Sequence, residues 1–156
     1  MNKAIFIDRD GTIIRDCGYL SDPNHVELLP GTGERLKAFQ DAGYFLVLVT
    51  NQSGIGRGYF TETEMNAVQT RLDKILEEYG VKFGGVYYCP HAHWENCACR
   101  KPKPMLARKA AADLNIDLSQ SCMVGDKQSD IDFGENFGAK DCFYSVEEAA
   151  ERILGG

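Results

Sequence analysis

"IFIDRDGT", Ile5–Thr12, governs how the rest of the chain is read. An apolar, β-branched run beginning at Ala4 ends on Asp8, and a second acid, Asp10, follows two residues later. Ala4–Asp8 predicts a short buried strand. A carboxylate at the end of such a strand is costly, and two like charges side by side cost more. The stretch therefore predicts that other charges converge on the strand end.

Outward from it the pattern repeats. "YFLVLVT", 44–50, is continuously apolar and predicts a buried parallel strand. "GVYYC", 85–89, "SCMVGD", 121–126, and Cys142–Ser145 predict three more. Helical patterns lie between them. Gly33–Ala42 places Leu36 and Phe39 at helical spacing and stops at Gly43. "TETE", 61–64, reads as a capping box opening a helix to about Tyr79, with Gly80 at its end. Pro104–Leu114 and Ser129–Asn136 predict two helices, and "SVEE", 145–148, caps a last one. Strand–helix alternation predicts an α/β, Rossmann-like three-layer sandwich with a central parallel sheet. The 156 residues suit a single domain spanning 1–156. Asp16–Pro30, a non-helical insert after the first strand, predicts a small flap.

The totals exclude some classes. Apolar content is 44% and charged content 26%, the balance of a soluble globular chain. No apolar run approaches the roughly 20 residues of a membrane span. "MNKAIFID" is too short a stretch for a signal peptide, so a cytoplasmic protein with no membrane partner is expected. A net charge of −6 argues against nucleic-acid binding but leaves room for a locally basic site. A monomer is expected. Cys17, Cys122 and Cys142 are scattered and read as small residues in or near the core.

The carboxyl edge of a parallel sheet is where its ligands bind, and Asp8, Thr50 and Asp126 all fall at strand ends on that edge. Acids gathered with a hydroxyl and an amide suit a divalent cation with oxygen ligands, Mg²⁺. Lys101, Lys127 and Arg57 add cations, Arg57 within the glycine-rich "NQSGIGRG", 51–58. Carboxylates with Mg²⁺ facing lysines form a phosphate pocket. One carboxylate can attack phosphorus, and a second can protonate the leaving oxygen and then activate water.

"CPHAHWENCAC", 89–99, offers Cys89, His91, Cys97 and Cys99 within one loop. This C-x-H…C-x-C set suits structural, tetrahedral Zn²⁺ with no open position. His93 is a possible substitute ligand, read as a bystander. Arg100 and Lys101 follow the last ligand directly, so a bound zinc would fix their backbone.

"DRDGT", "VTNQSG", "RKP" and "GDKQSD" resemble the four motifs of the haloacid dehalogenase (HAD) superfamily of phosphohydrolases, through nearly the whole chain. Within it, "TNQSGIGRG", "YYCPH", "CRKP" and "MVGDK" resemble the D-glycero-D-manno-heptose 1,7-bisphosphate 7-phosphatases, whose sister group is the histidinol-phosphate phosphatases. The resemblance implies a HAD-like fold with a minimal cap made of the flap and a zinc loop. It implies Asp8 as nucleophile and Asp10 as general acid/base, with Thr50 and Lys101 holding the transferring phosphoryl group. Asp8, Asp10 through its backbone carbonyl, and Asp126 would hold Mg²⁺. Asp16, Cys17, Gly18, Tyr19, Thr50, Asn51, Gln52, Ser53, Arg100, Lys101 and Lys127 would contact a small phosphorylated sugar, and Asp130 would orient the loop bearing Asp126 and Lys127. The pathway implied is the supply of heptose for lipopolysaccharide. "GIGRG" and "DCGY" favour the heptose group, while the length of the cysteine loop is nearer the histidinol group. An inactive zinc-stabilised binding module is the alternative of another class. The intact set Asp8, Asp10, Thr50, Lys101 and Asp126 argues against it.

Overall fold

Five parallel strands form one sheet in the computed structural model, which describes residues 1–155. In chain order the elements are β1 (Ala4–Ile7), α1 (Thr32–Asp41), β2 (Phe45–Asn51), α2 (Ser53–Gly56), α3 (Glu62–Glu77), β3 (Gly85–Cys89), α4 (Met105–Leu114), β4 (Cys122–Val124), α5 (Gln128–Phe137), β5 (Asp141–Phe143) and α6 (Val146–Ile153). The strand order is β3-β2-β1-β4-β5. From β1 the chain winds outward through β2 to β3, then returns to the other side of β1 for β4 and β5. The reversal falls between β1 and β4, where open α/β sheets leave a crevice at their carboxyl edge.

Alternation along each strand builds two cores. Ile5, Ile7, Leu46 and Leu48 face one way and pack on Leu36 and Phe39 of α1, Val68, Leu72 and Leu76 of α3, and Val146 and Ala149 of α6. Ala4, Phe6, Val47 and Val49 face the other way, onto Leu106, Ala107 and Ala110 of α4 and Phe133 and Phe137 of α5. Both faces are dry, which is why the strands read as unbroken apolar runs. The predicted capping box is present: Glu64 N–H donates to Thr61 Oγ1 (3.1 Å), and Thr61 N–H donates to Glu64 Oε1 (3.0 Å). The last two strands are narrower than the sequence predicts, because Gly125 onward and Tyr144 onward already turn into loops and helices.

The insert after β1 is a flap with a short stem. Arg15 N–H donates to Glu27 O (2.9 Å) and Leu29 N–H to Ile13 O (3.0 Å). A single 3₁₀ turn, Pro23–His25, interrupts its expected lack of helix. Leu20, 4% exposed, anchors the flap in the α1/α3/α6 core. No described helix is long and apolar enough to cross a membrane.

Candidate active site

Asp8 lies one residue beyond β1, with its N–H still donating to Val124 O of β4 (3.0 Å). The sheet therefore aims its carboxylate along the carboxyl edge. Register places β2 beside it, so Thr50 emerges on the same edge. Behind Asp8, Arg9 O accepts N–H donors from Thr12, Ile13 and Ile14, a tight turn that brings Asp10 back over the sheet. Gly11 sits at φ 85°, and a Cβ there would collide with the Asp126 carboxylate. That position needs glycine on both counts.

Lys101 answers the buried charge. It is 4% exposed, and its Nζ donates to Asp8 Oδ1 (2.9 Å), Asp130 Oδ1 (2.7 Å) and Val49 O (2.9 Å). Burial alone would favour the neutral amine, but the charges of Asp8 and Asp130 hold its pKa above the ordinary lysine value. It is therefore an ammonium at neutral pH. The Lys101 backbone is pinned separately by the Asn51 side chain, whose Oδ1 accepts from Lys101 N–H (3.0 Å) and whose Nδ2 donates to Lys101 O (3.3 Å). Asp130 also accepts from Lys127 N–H (3.2 Å), tying the turn after β4 to the same centre.

Asp10 is held by donors. The guanidinium of Arg9, 1% exposed, approaches to 3.1 Å, and Gln52 Nε2 donates to Asp10 Oδ2 (3.2 Å) and to Thr50 Oγ1 (2.9 Å). Burial raises the Asp10 pKa, with Arg9 opposing and Asp8 adding to the rise, so protonation is easier than for a surface aspartate. A carboxyl of this kind suits a group that must give up a proton and take it back.

One carboxylate oxygen from each of Asp8, Asp126 and Asp130 lies within 4.8 Å of the others. Asp130 is engaged by Lys101, whereas Asp126 is only touched by Thr12 Oγ1 (3.3 Å) and by Lys127 Nζ (3.7 Å), so Asp8 and Asp126 keep free oxygen lone pairs for a cation. An all-oxygen donor set of this charge fits Mg²⁺.

A cleft of about 380 Å³ opens above these groups. Of the predicted residues it is lined by Asp8, Asp10, Asp16, Gly18, Tyr19, Thr50, Asn51, Gln52, Ser53, Arg100, Lys101 and Lys127. Three predicted residues are not on its wall. Cys17 is exposed, its Sγ turned back toward Arg15 O (3.8 Å), so it is neither a core residue nor at the cleft. Arg57 stands outside the wall, among Tyr19, His93 and Trp94. Asp126 is exposed and off the wall, but it belongs to the carboxylate cluster with Asp8 and Asp130. The cleft adds Gly54, Phe60 and Ser129, and Asp130, expected only to orient the loop after β4, also reaches its wall. Sequence reasoning also missed Arg9 and Thr12; their only signal was adjacency to the two acids.

The cysteine loop brings its four ligand types together. His91 Nδ1 lies 3.4 Å from Cys89 Sγ and 3.2 Å from Cys99 Sγ, and Cys89 Sγ lies 3.5 Å from Cys97 Sγ and 2.8 Å from Cys99 Sγ. Four soft or borderline atoms so close, with no disulfide among them, fit one tetrahedral metal. Burial resists ionisation of Cys97, but hydrogen bonds from Cys89 and from the Arg100 and Cys99 backbone bring it down to about 7, within reach of the thiolate. His93 lies apart, against Arg57.

A family profile described as HAD-hydrolase-like matches residues 98–152. A D-glycero-β-D-manno-heptose-1,7-bisphosphate 7-phosphatase of Haemophilus ducreyi is 48% identical over 145 residues, 88% of this chain and 80% of that protein. The enzyme of the same name from Helicobacter pylori is 47% identical over 140 residues, 89% of this chain and 81% of its own. The crystal structure of D,D-heptose 1,7-bisphosphate phosphatase from B. bronchiseptica, complexed with magnesium and phosphate, superposes with a TM-score of 0.90 at 27% identity, covering 98% of each chain.

Proposed function

We propose the activity of a chain that belongs to the D-glycero-β-D-manno-heptose-1,7-bisphosphate 7-phosphatase family of HAD-like hydrolases: it removes the 7-phosphate of the heptose bisphosphate through covalent catalysis by Asp8. The observation that carries this reading is the buried Lys101 ammonium bonded to Asp8 at a cleft that also holds Asp10 and Thr50. An Asp8 oxygen attacks phosphorus, and the bond to the sugar oxygen breaks. Lys101 and the Thr50 hydroxyl offset the charge on the phosphoryl oxygens. Asp10 gives its proton to the departing sugar oxygen, then takes one from the water that splits the aspartyl-phosphate. Asp8, Asp126 and the backbone carbonyl of Asp10 would hold Mg²⁺, which supplies charge neutralisation at the phosphoryl group when bound. Cys89, His91, Cys97 and Cys99 would hold a structural Zn²⁺, steadying the loop that leads into Arg100 and Lys101. The relatives' names support the sugar substrate and the superposed magnesium–phosphate complex supports the metal. We further read the protein as a cytoplasmic monomer acting on precursors of lipopolysaccharide heptose.

A phosphate-release panel tests the substrate. With Mg²⁺ present, both anomers of the heptose 1,7-bisphosphate should be turned over far faster than histidinol phosphate. Preference for histidinol phosphate would transfer the chain to the sister activity.

A further inference from the structure

Arg9 is the largest fully buried side chain among the described residues, 1% exposed, and it is a cation. Its one carboxylate partner within ion-pair distance there is Asp10. A buried ion pair adds little net stability, because desolvation of both charges offsets their attraction, and apolar side chains of similar volume often serve a fold as well. The pair therefore needs a reason other than the stability of the fold. The position of the guanidinium supplies one. Arg9 does not line the cleft that Asp10 lines. Its side chain lines a separate cavity of about 370 Å³, with Met65, Gln69 and Asp73 of α3 and Tyr88 of β3. Any effect of Arg9 on a substrate in the cleft must pass through a neighbouring side chain.

That neighbour is Asp10, and the contact is two-pronged. Arg9 Nε lies 3.3 Å from Asp10 Oδ1 and 3.2 Å from Oδ2, and Nη2 lies 3.3 Å from Oδ1 and 3.1 Å from Oδ2. Two N–H groups set against two oxygens at nearly equal distances fix the plane of a carboxylate as well as its place. Gln52 Nε2 adds a third donor, on Oδ2 at 3.2 Å, and is itself held on Thr50 Oγ1 at 2.9 Å. The Arg9 backbone is equally fixed, since its carbonyl accepts from the N–H groups of Thr12, Ile13 and Ile14. Held in this way, the Asp10 side chain keeps 17% exposure and a place on the cleft wall.

We propose that Arg9 is a positioning residue for the reaction: its fork holds the Asp10 carboxyl in the orientation from which it protonates the departing oxygen. The inference rests on Asp10 as the acid of the proposed mechanism, and not on which sugar is the substrate. A proton donor works only within hydrogen-bond reach of the atom it protonates, and a displacement of about 1 Å can cost on the order of 100-fold in rate. The competing role for Arg9, a buried pair that only supports the fold, would lower turnover of every phosphate ester alike.

The test compares two kinds of ester. An alkyl phosphate expels an oxygen that must be protonated as it leaves, whereas 4-nitrophenyl phosphate expels an anion stable enough to leave without a proton. The alkyl ester is whichever of heptose 1,7-bisphosphate and histidinol phosphate the parent turns over faster. Its kcat/KM is divided by that for 4-nitrophenyl phosphate, because kcat/KM reports the step in which the two leaving groups depart and not the later splitting of the shared aspartyl-phosphate. Both rates come from one preparation, with Mg²⁺ and no chelator, so any unfolded fraction cancels. Arg9→Gln should lower the ratio about tenfold to a hundredfold. Arg9→Lys, which keeps the charge and loses the fork, should lower it in the same direction, and carries the comparison alone if Arg9→Gln fails to fold. Asp10→Asn should lower the ratio too, and adding either Arg9 substitution to Asp10→Asn should change it no further, as expected of a residue that acts only through Asp10. A parental ratio in either Arg9 variant, or a further fall in the double variant, overturns the proposal. If Asp10→Asn itself keeps the parental ratio, the acid role fails and the proposal fails with it. A selective loss in Asp10→Asn that the Arg9 variants do not share removes the proposal alone.

Discussion

Replacing Lys101 by methionine should expose how the site is balanced. The methionine keeps most of the apolar stem and removes the ammonium that sits 2.9 Å from Asp8 and 2.7 Å from Asp130. Both carboxylates would then be buried without a counter-charge, and Val49 O would lose its donor. Removing one partner of a buried ion pair costs about 3–5 kcal/mol, a large part of the 5–15 kcal/mol that holds a typical domain together. With a urea dependence of about 2 kcal/mol/M, Lys101→Met should lower the unfolding midpoint by about 2 M. The assay is urea unfolding followed by circular dichroism in magnesium-free buffer without chelator, because magnesium at the carboxylates would mask the repulsion while the cysteine-loop metal must stay in place. Adding Asp130→Asn to Lys101→Met removes one of the two stranded charges and should recover part of the loss. A loss under about 1 kcal/mol, or a double variant no more stable than the single one, would refute the assignment of Lys101 as the counter-ion of this centre.

Three further outcomes are expected. Asp8→Asn, near-isosteric but a poor nucleophile, should remove turnover by many powers of ten while leaving the circular dichroism spectrum intact; substantial activity in a preparation free of contaminating phosphatase would rule out covalent catalysis by Asp8. Asp10 has its pKa raised above the ordinary 3.8 by burial first, with Asp8 adding and Arg9 opposing, so its favourable contribution is full below that value and is lost as pH rises through the folded pKa. In magnesium-free buffer without chelator, the parent should therefore lose stability relative to Asp10→Asn as pH climbs above 3.8, and a difference that stays flat to pH 7 would contradict the shift. Cys97→Ala should lower kcat per folded molecule, since a displacement of about 1 Å at Lys101 can cost on the order of 100-fold; the Asn51 clamp limits the loss, so Asn51→Ala in the same background should deepen it, and an unchanged kcat per folded molecule in both variants would reduce the metal to a staple.

The two acids of "DRDGT" and the strand–helix alternation were legible because their signals are local: a run of apolar residues, a spacing, a cap. Asp8, Thr50 and Asp126 could be placed on one edge because parallel topology forces it, and the register of β1 with β2 and β4 does so. The four zinc-type ligands were legible because one short loop holds them all. What escaped depends on side chains meeting across long separations. Arg57 reads as a phosphate contact in a glycine-rich loop, yet its guanidinium turns to Trp94 and His93 in a segment 36 residues on. Asn51 reads as a substrate residue, while its amide is also committed to the Lys101 backbone. Arg9 carries no sequence signal beyond standing between the two acids, and it is a fully buried ion-pair partner of Asp10. Cys17 looked like a small core residue and is exposed, because the flap is anchored through Leu20 instead. The helix α2 was missed for another reason: "SGIG", at four residues with two glycines, carries no helical periodicity.

The central claim is that this site takes the 7-phosphate from a heptose 1,7-bisphosphate by way of Asp8. Phosphorus NMR of the reaction mixture tests it directly, with the bisphosphate, Mg²⁺ and either the parent protein or Asp8→Asn. The account predicts inorganic phosphate and heptose 1-phosphate in equal amounts from the parent and unchanged bisphosphate with Asp8→Asn. Heptose 7-phosphate as the product, or equal conversion by Asp8→Asn, would contradict it.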